Sequence, residues 1–84
     1  MRKYVQLNGD DNVIVALLPF HKDDVLKLGE TMITILNDIP SGHKIAVKDI
    51  RKRESVIKYG FSIGQALVDI TVGEHVHVHN ITSE

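Results

Sequence analysis

Short apolar stretches separated by turn residues run the length of this chain. Tyr4 to Leu7 and Asn12 to Leu18 are largely apolar, and Asn8-Gly9-Asp10-Asp11 between them carries residues that favour tight turns. That pattern predicts a β-hairpin. Thr31 to Leu36 alternates polar and apolar positions as a half-buried strand does. Asp23 to Leu28 reads either as one helical turn or as a polar loop, and Asn37 to Gly42 as a further turn. The longest helical candidate, Ser62 to Val68, carries Gly64 in its middle and covers only about two turns. A single, mostly β domain over residues 1–84 with little helix is therefore expected.

An internal echo sharpens this picture. DIPSGHKIAVKDI from Asp38 and DITVGEHVHVHNI from Asp69 share Asp, Ile, Gly, Val and a final Ile at an offset of 31. Each segment leads from an Asp-Ile turn through a glycine, Gly42 or Gly73, into a strand with alternating apolar residues. Positive φ is expected at both glycines, and the two segments predict pseudo-symmetric strand pairs. Asp38 and Asp69 stand at matched turn positions, where aspartate caps backbone rather than performing chemistry.

Composition narrows the function. Ten Lys and Arg balance eleven Asp and Glu, for a net charge of -1, and the one basic run, Lys48 to Arg53, has no interleaved aromatics on which bases could stack. Nucleic acid is not expected as a partner. The chain has no cysteine, which removes disulfides, thiolate metal sites and cysteine nucleophiles. No apolar run approaches the roughly 20 residues that span a bilayer and the N-terminus lacks the apolar segment of a signal peptide, so no membrane association and a cytoplasmic location are expected. With two Phe, two Tyr and no Trp in 84 residues, the core must be built mainly from Ile, Val and Leu. So small a core would gain from burying a face against a second chain, for which Phe20, Phe61, Ile63 and Leu67 are candidates, each reading equally well as a core residue; homo-oligomerisation is left open.

Three of the five histidines fall at alternate positions in GEHVHVHN, residues 73–80. On a strand from Glu74 to Asn80, His75, His77 and His79 share one face, and Val76 and Val78 point to the core on the other. Same-face neighbours are about 6.6 Å apart, twice the rise per residue, so two imidazoles can converge on one cation. Glu74 or His43 could supply a further ligand. Alternation of this kind is also what any half-exposed strand shows, and imidazoles can instead hold substrate carboxylates or act as acids and bases. His43 and Lys44 follow Gly42 in the other echo segment, so the paired turns are expected to bring them near the histidine strand. Lys44 is a candidate clamp for a substrate carboxylate, and Lys58-Tyr59-Gly60 offers a second cation and a phenol.

SGHKIAVKDI, VIKYGFSIGQA and DITVGEHVHVHN together resemble the small N-terminal SAF domain of the altronate and galactarate dehydratases, over about residues 4 to 81. The resemblance implies a compact, strand-rich β-clip fold and a role in removing water from a sugar acid to give a 2-keto-3-deoxy acid. It also implies a divalent metal, iron(II) first and manganese(II) second. Because the chain ends at Glu84 where long family members continue, it is expected to be either a small subunit, inactive alone, with a separate large catalytic subunit as partner and a sugar acid as substrate, or an excised domain. The alternatives are the small (alpha) subunit of a sulfolactate sulfo-lyase and a non-enzymatic metal- or carbohydrate-binding module. Carried onto this sequence, the motifs make His75, His77 and His79 the metal candidates, and His75, His77 and Lys44 the catalytic candidates. His43, Lys44, Tyr59 and Asn80 become candidates for substrate binding.

Overall fold

A computed structural model describes residues 2–83. Nine strands and no helix appear among them: β1 (Tyr4–Val5), β2 (Val13–Ala16), β3 (Val25–Leu28), β4 (Thr31–Thr34), β5 (Lys44–Ala46), β6 (Ser55–Lys58), β7 (Phe61–Ala66), β8 (His75–Val76) and β9 (Ile81–Ser83). All strand pairs are antiparallel. They form a central sheet in the order β1-β2-β5-β8, a two-stranded sheet β3-β4 and a three-stranded sheet β6-β7-β9. The mostly β expectation holds, as does the first hairpin, in which Tyr4 faces Ala16 and Val5 faces Val15.

The central sheet is apolar on both faces because a separate core packs against each. Ile14 of β2 and Ile45 of β5 turn into one cluster with Phe20, Leu26, Ile33, Ile35 and Ile39. Their neighbours Val13 and Ala46 turn into the other with Ile50, Val56, Ala66, Ile70 and Val76. Side-chain direction alternates along a strand, so adjacent residues feed opposite cores. This accounts for the continuous VIVA and KIA runs of β2 and β5.

The echo seen in the sequence extends to four turns of one design. At each, an amide donates to the carbonyl three residues earlier: Asp24 to His21, His43 to Pro40, Glu54 to Arg51 and Glu74 to Thr71. The residue before that donor has positive φ in every case: Asp23 (76°), Gly42 (84°), Arg53 (77°) and Gly73 (94°). The turns interlock in pairs, through a Phe20–Ile39 bridge and an Ile50–Ile70 bridge. Asp38 accepts from the Lys22 amide and Asp69 from the Lys52 amide, so each aspartate caps the partner turn. The glycine expectation is met, and at Gly73 it is steric as well: a Cβ there would lie 2.1 Å from the Thr34 carbonyl oxygen.

One sequence expectation fails here, and one open alternative is decided. Asp23 to Leu28 is neither a helical turn nor a loop; Val25–Leu28 pairs with Thr31–Thr34 through the two-residue turn Gly29-Glu30, with Gly29 at φ 60°. Glycine at the first of two turn positions is the signature of a type II′ hairpin. Phe20 is not an interface residue but a core residue, 6% exposed, whereas Phe61 and Leu67 are exposed and Ile63 packs partly against the second core. The β6–β7 hairpin turns at Tyr59 and Gly60, both at positive φ, and buried Asp11 holds it by accepting from both amides at 3.0 and 2.8 Å.

Candidate metal centre

Two of the four turns deliver the histidines. The glycine turns at Gly42 and Gly73 release His43 and His75 at the start of β5 and β8, which pair so that Ile45 faces His75. Residues directly opposite in an antiparallel pair share a face, so His75 stands beside the first core. Val76, on the other face, is fully buried in the second. The strand then stops. Asn80 is 4% exposed; its side-chain oxygen accepts from the His77 amide at 3.0 Å and its side-chain nitrogen donates to the His75 carbonyl at 2.8 Å. The Asn80 and Ile81 amides both donate to the His77 carbonyl. These bonds fold His77 to Asn80 into a turn, so the strand expected to run to Asn80 ends at Val76. Val78, expected in the core, is 77% exposed.

The turn brings His77 back over His43. His43 Nδ1 lies 2.8 Å from His75 Nε2. The His43 and His77 rings stack at 4.0 Å between centroids, and those of His75 and His77 at 5.6 Å. One nitrogen from each of His43, His75 and His77 falls within 4.8 Å of the others. Nitrogens sharing a cation with bonds near 2.1 Å sit about 3.0 to 4.2 Å apart, so small side-chain rotations suffice to close the three on one ion. His79 is exposed, and its ring is tilted against His75 at 5.1 Å, outside this group.

Electrostatics favour neutral imidazoles, the form that ligates metal. Partial burial, then the neighbouring His79, His43 and His77, lower the affinity of His75 for a proton. His77 is lowered in the same direction, first by shielding from water and then by His43, Lys44 and His79. Lys44 occupies the opposite face of the central sheet, opposite Val15 and Val76, and is half-buried. Desolvation, with a contribution from the Lys58 charge, holds its ammonium below the ordinary lysine range.

The predicted site residues thus separate into groups. His43, His75 and His77 meet; Lys44 follows His43 but pairs with Val15 and Val76 on the other face of the sheet. Asn80 is buried beneath the turn with its amide engaged by backbone. Tyr59 projects from the β6–β7 turn, 55% exposed, with the Lys58 ammonium 4.9 Å from its ring centre. A groove of 640 Å³ lined by Arg2, Lys3, Tyr4 and Lys27 among others includes none of these residues. Grouping His43 with His75 and His77 was foreshadowed by the echo, which sets the two glycine turns in equivalent positions.

An all-β module that gathers three imidazoles from two paired turns, with no carboxylate in the group, defines a histidine-bearing domain suited to a divalent cation. The chain belongs to the altronate/galactarate dehydratase SAF domain family, whose model matches residues 2–84. It is 42% identical over 80 residues to an altronate dehydratase of Bacillus subtilis, a match covering 95% of this chain and 16% of the relative. The corresponding protein of Escherichia coli is 42% identical over 78 residues. A (2R)-sulfolactate sulfo-lyase subunit alpha of Paracoccus pantotrophus is 48% identical over 48 residues, covering 57% of this chain and 72% of that subunit. The chain spans about one-sixth of the length of the altronate dehydratases it matches. No helix among the described residues is long and apolar enough to cross a membrane.

Proposed function

We propose that this chain is the small subunit of a cytoplasmic sugar-acid dehydratase of the altronate type, a β-clip module that contributes a metal-binding histidine cluster to a lyase. The convergence of His43, His75 and His77 is the observation that carries this reading. Three neutral imidazoles fit iron(II) better than manganese(II), which prefers carboxylate and water oxygens. His43, His75 and His77 would hold the ion, with His79 outside them. When bound, such an ion supplies Lewis-acid polarisation of substrate oxygens.

The remaining roles fall to this chain's own groups. Lys44, whose neutral form is favoured by burial, is suited to receive a proton lost beside a carboxylate, or when charged to clamp that carboxylate. Asn80 positions His75 and His77 through their backbone. Tyr59, 55% exposed at the β6–β7 turn, is free to meet a bound polyol. Little in 84 residues could enclose a six-carbon substrate, so a larger partner is part of the proposal.

The separate sulfo-lyase subunits among the relatives support a two-chain arrangement, and they favour a second reading in which sulfite rather than water is eliminated. Assaying altronate and (2R)-sulfolactate with this chain, with the large chain encoded beside it, and with the mixture distinguishes the two. Altronate dehydration by the mixture alone, abolished by His75→Ala and His77→Ala, is the expected result. Full activity of the large chain without this one would overturn the subunit reading.

A further inference from the structure

Two turns beside the histidines present apolar side chains to solvent. Val78 stands at the tip of the His77–Asn80 turn, 77% exposed, and Leu67 and Val68 follow β7 at 43% and 51%. The Leu67 amide donates to the Asn80 carbonyl at 2.9 Å, which ties the two turns together. The Val78 turn is no loose loop, because the buried Asn80 amide and the two bonds to the His77 carbonyl fix its shape. A rigid turn that holds valine outward maintains unfavourable exposure of apolar surface, which a docked partner would relieve.

Charge indicates what docks there. The histidine group contains no carboxylate, while the Lys58 charge bears on Lys44 and the Lys44 charge on His77. Neither lysine has an ion-pair partner among the described residues. A cation held by three neutral imidazoles would keep its full charge and open positions for anionic ligands. The complementary surface is therefore apolar with a carboxylate beside it.

We propose that Leu67, Val68 and Val78 are the docking surface for an apolar, carboxylate-bearing face of the larger partner chain, seated so that the partner's acidic side chain closes over His75 and His77. The choice of partner rests on the proposed subunit role; the surface itself rests on exposure and turn geometry. Binding of the large chain encoded beside this one, followed by calorimetry and sedimentation, tests it. Val78→Asp and Leu67→Asp are expected to weaken binding at least tenfold while leaving the thermal unfolding of this chain unchanged. Met32→Asp, a change at a 62% exposed apolar residue on the β3–β4 hairpin, is expected to bind as the unaltered chain does. Lys58→Glu is expected to weaken binding severalfold at low salt and less at high salt. His77→Ala is expected to lose metal and to weaken partner binding severalfold, whereas Val78→Asp and Leu67→Asp are expected to bind metal as the unaltered chain does while losing the partner, so failure of the metal reading and failure of the docking surface give different results. Wild-type binding by both aspartate variants, self-association of this chain that Val78→Asp abolishes, or no binding to the large chain overturns the proposal.

Discussion

His43 Nδ1 and His75 Nε2 lie 2.8 Å apart although thirty-two positions separate them in the chain. The contact follows from the duplicated turn: Gly42 and Gly73 release equivalent strands that pair, so the residues just past each glycine are neighbours. A bond between two ring nitrogens requires one to donate and the other to accept, so at least one imidazole is neutral. Both nitrogens already point to a common place, and a cation would exchange this bond for two coordinate bonds.

Metal affinity should follow that convergence rather than the alternation of the sequence. His43→Ala and His75→Ala are each expected to weaken iron(II) or cobalt(II) binding by about tenfold or more, roughly 1.4 kcal/mol or above. His79→Ala is expected to change it by less than about threefold. Anaerobic titration followed by cobalt absorption or calorimetry reads this; equal losses for His79 and His43 would favour the His75, His77, His79 set.

The same residues show what the sequence disclosed and what it hid. Turn chemistry at Asn8 to Asp11 and the alternation at Thr31 to Thr34 located strands because both are local signals. The glycine echo located His43 beside His75 because duplication carries long-range information. Val78 was misplaced because alternation counts residues as though a strand continues, and it has no term for the Asn80 side chain, which captures the His77 amide and ends the ladder. Asparagine three residues after His77 was the available signal. Val25–Leu28 was missed for a related reason: Lys27 and the Asp23-Asp24 pair before it obscure a short strand that Leu28-Gly29-Glu30-Thr31 identifies by its hairpin turn.

Asn80 should therefore matter to both stability and site. Asn80→Ala removes a buried amide that satisfies two backbone groups, at an expected cost of about 2 kcal/mol in unfolding free energy. Asn80→Asp keeps the acceptor for the His77 amide but loses the donor to the His75 carbonyl, and should fall between. Urea unfolding measures this, and a cost below about 0.5 kcal/mol would show that the turn holds without it.

Protonation of the histidine cluster gives a pH dependence of known sign. His75 and His77 bind protons less readily when folded than when unfolded, so the unfolded state takes up more protons as acid is added. Stability is fully present above the unfolded histidine value of about 6.5 and declines as pH falls through the lower folded values. Unfolding free energy measured from pH 8 to 5 should decrease, and the decrease should be smaller in a His75→Ala, His77→Ala double variant. An unchanged slope would assign the acid sensitivity to other groups.

The four matched turns supply the sharpest backbone test, because two carry glycine and two do not. Arg53 sits at φ 77°, a conformation that costs an L-residue about 1 kcal/mol or more, so Arg53→Gly should stabilise the chain despite the extra unfolded-state entropy, or at least cost nothing. Gly42→Ala meets no atom within 4 Å and should cost only that local strain, about 1 kcal/mol. Gly73→Ala carries the same strain and also drives a Cβ to 2.1 Å from the Thr34 carbonyl oxygen, backbone that cannot move without disturbing the Leu36 amide bond to Gly73. Its cost should exceed that of Gly42→Ala by at least about 2 kcal/mol, within the range of severe single substitutions. It should also displace His75 and His77, reducing metal affinity where Gly42→Ala does not. Equal costs at the two glycines would mean that the close approach of the Gly73 turn to β4 does not persist in solution.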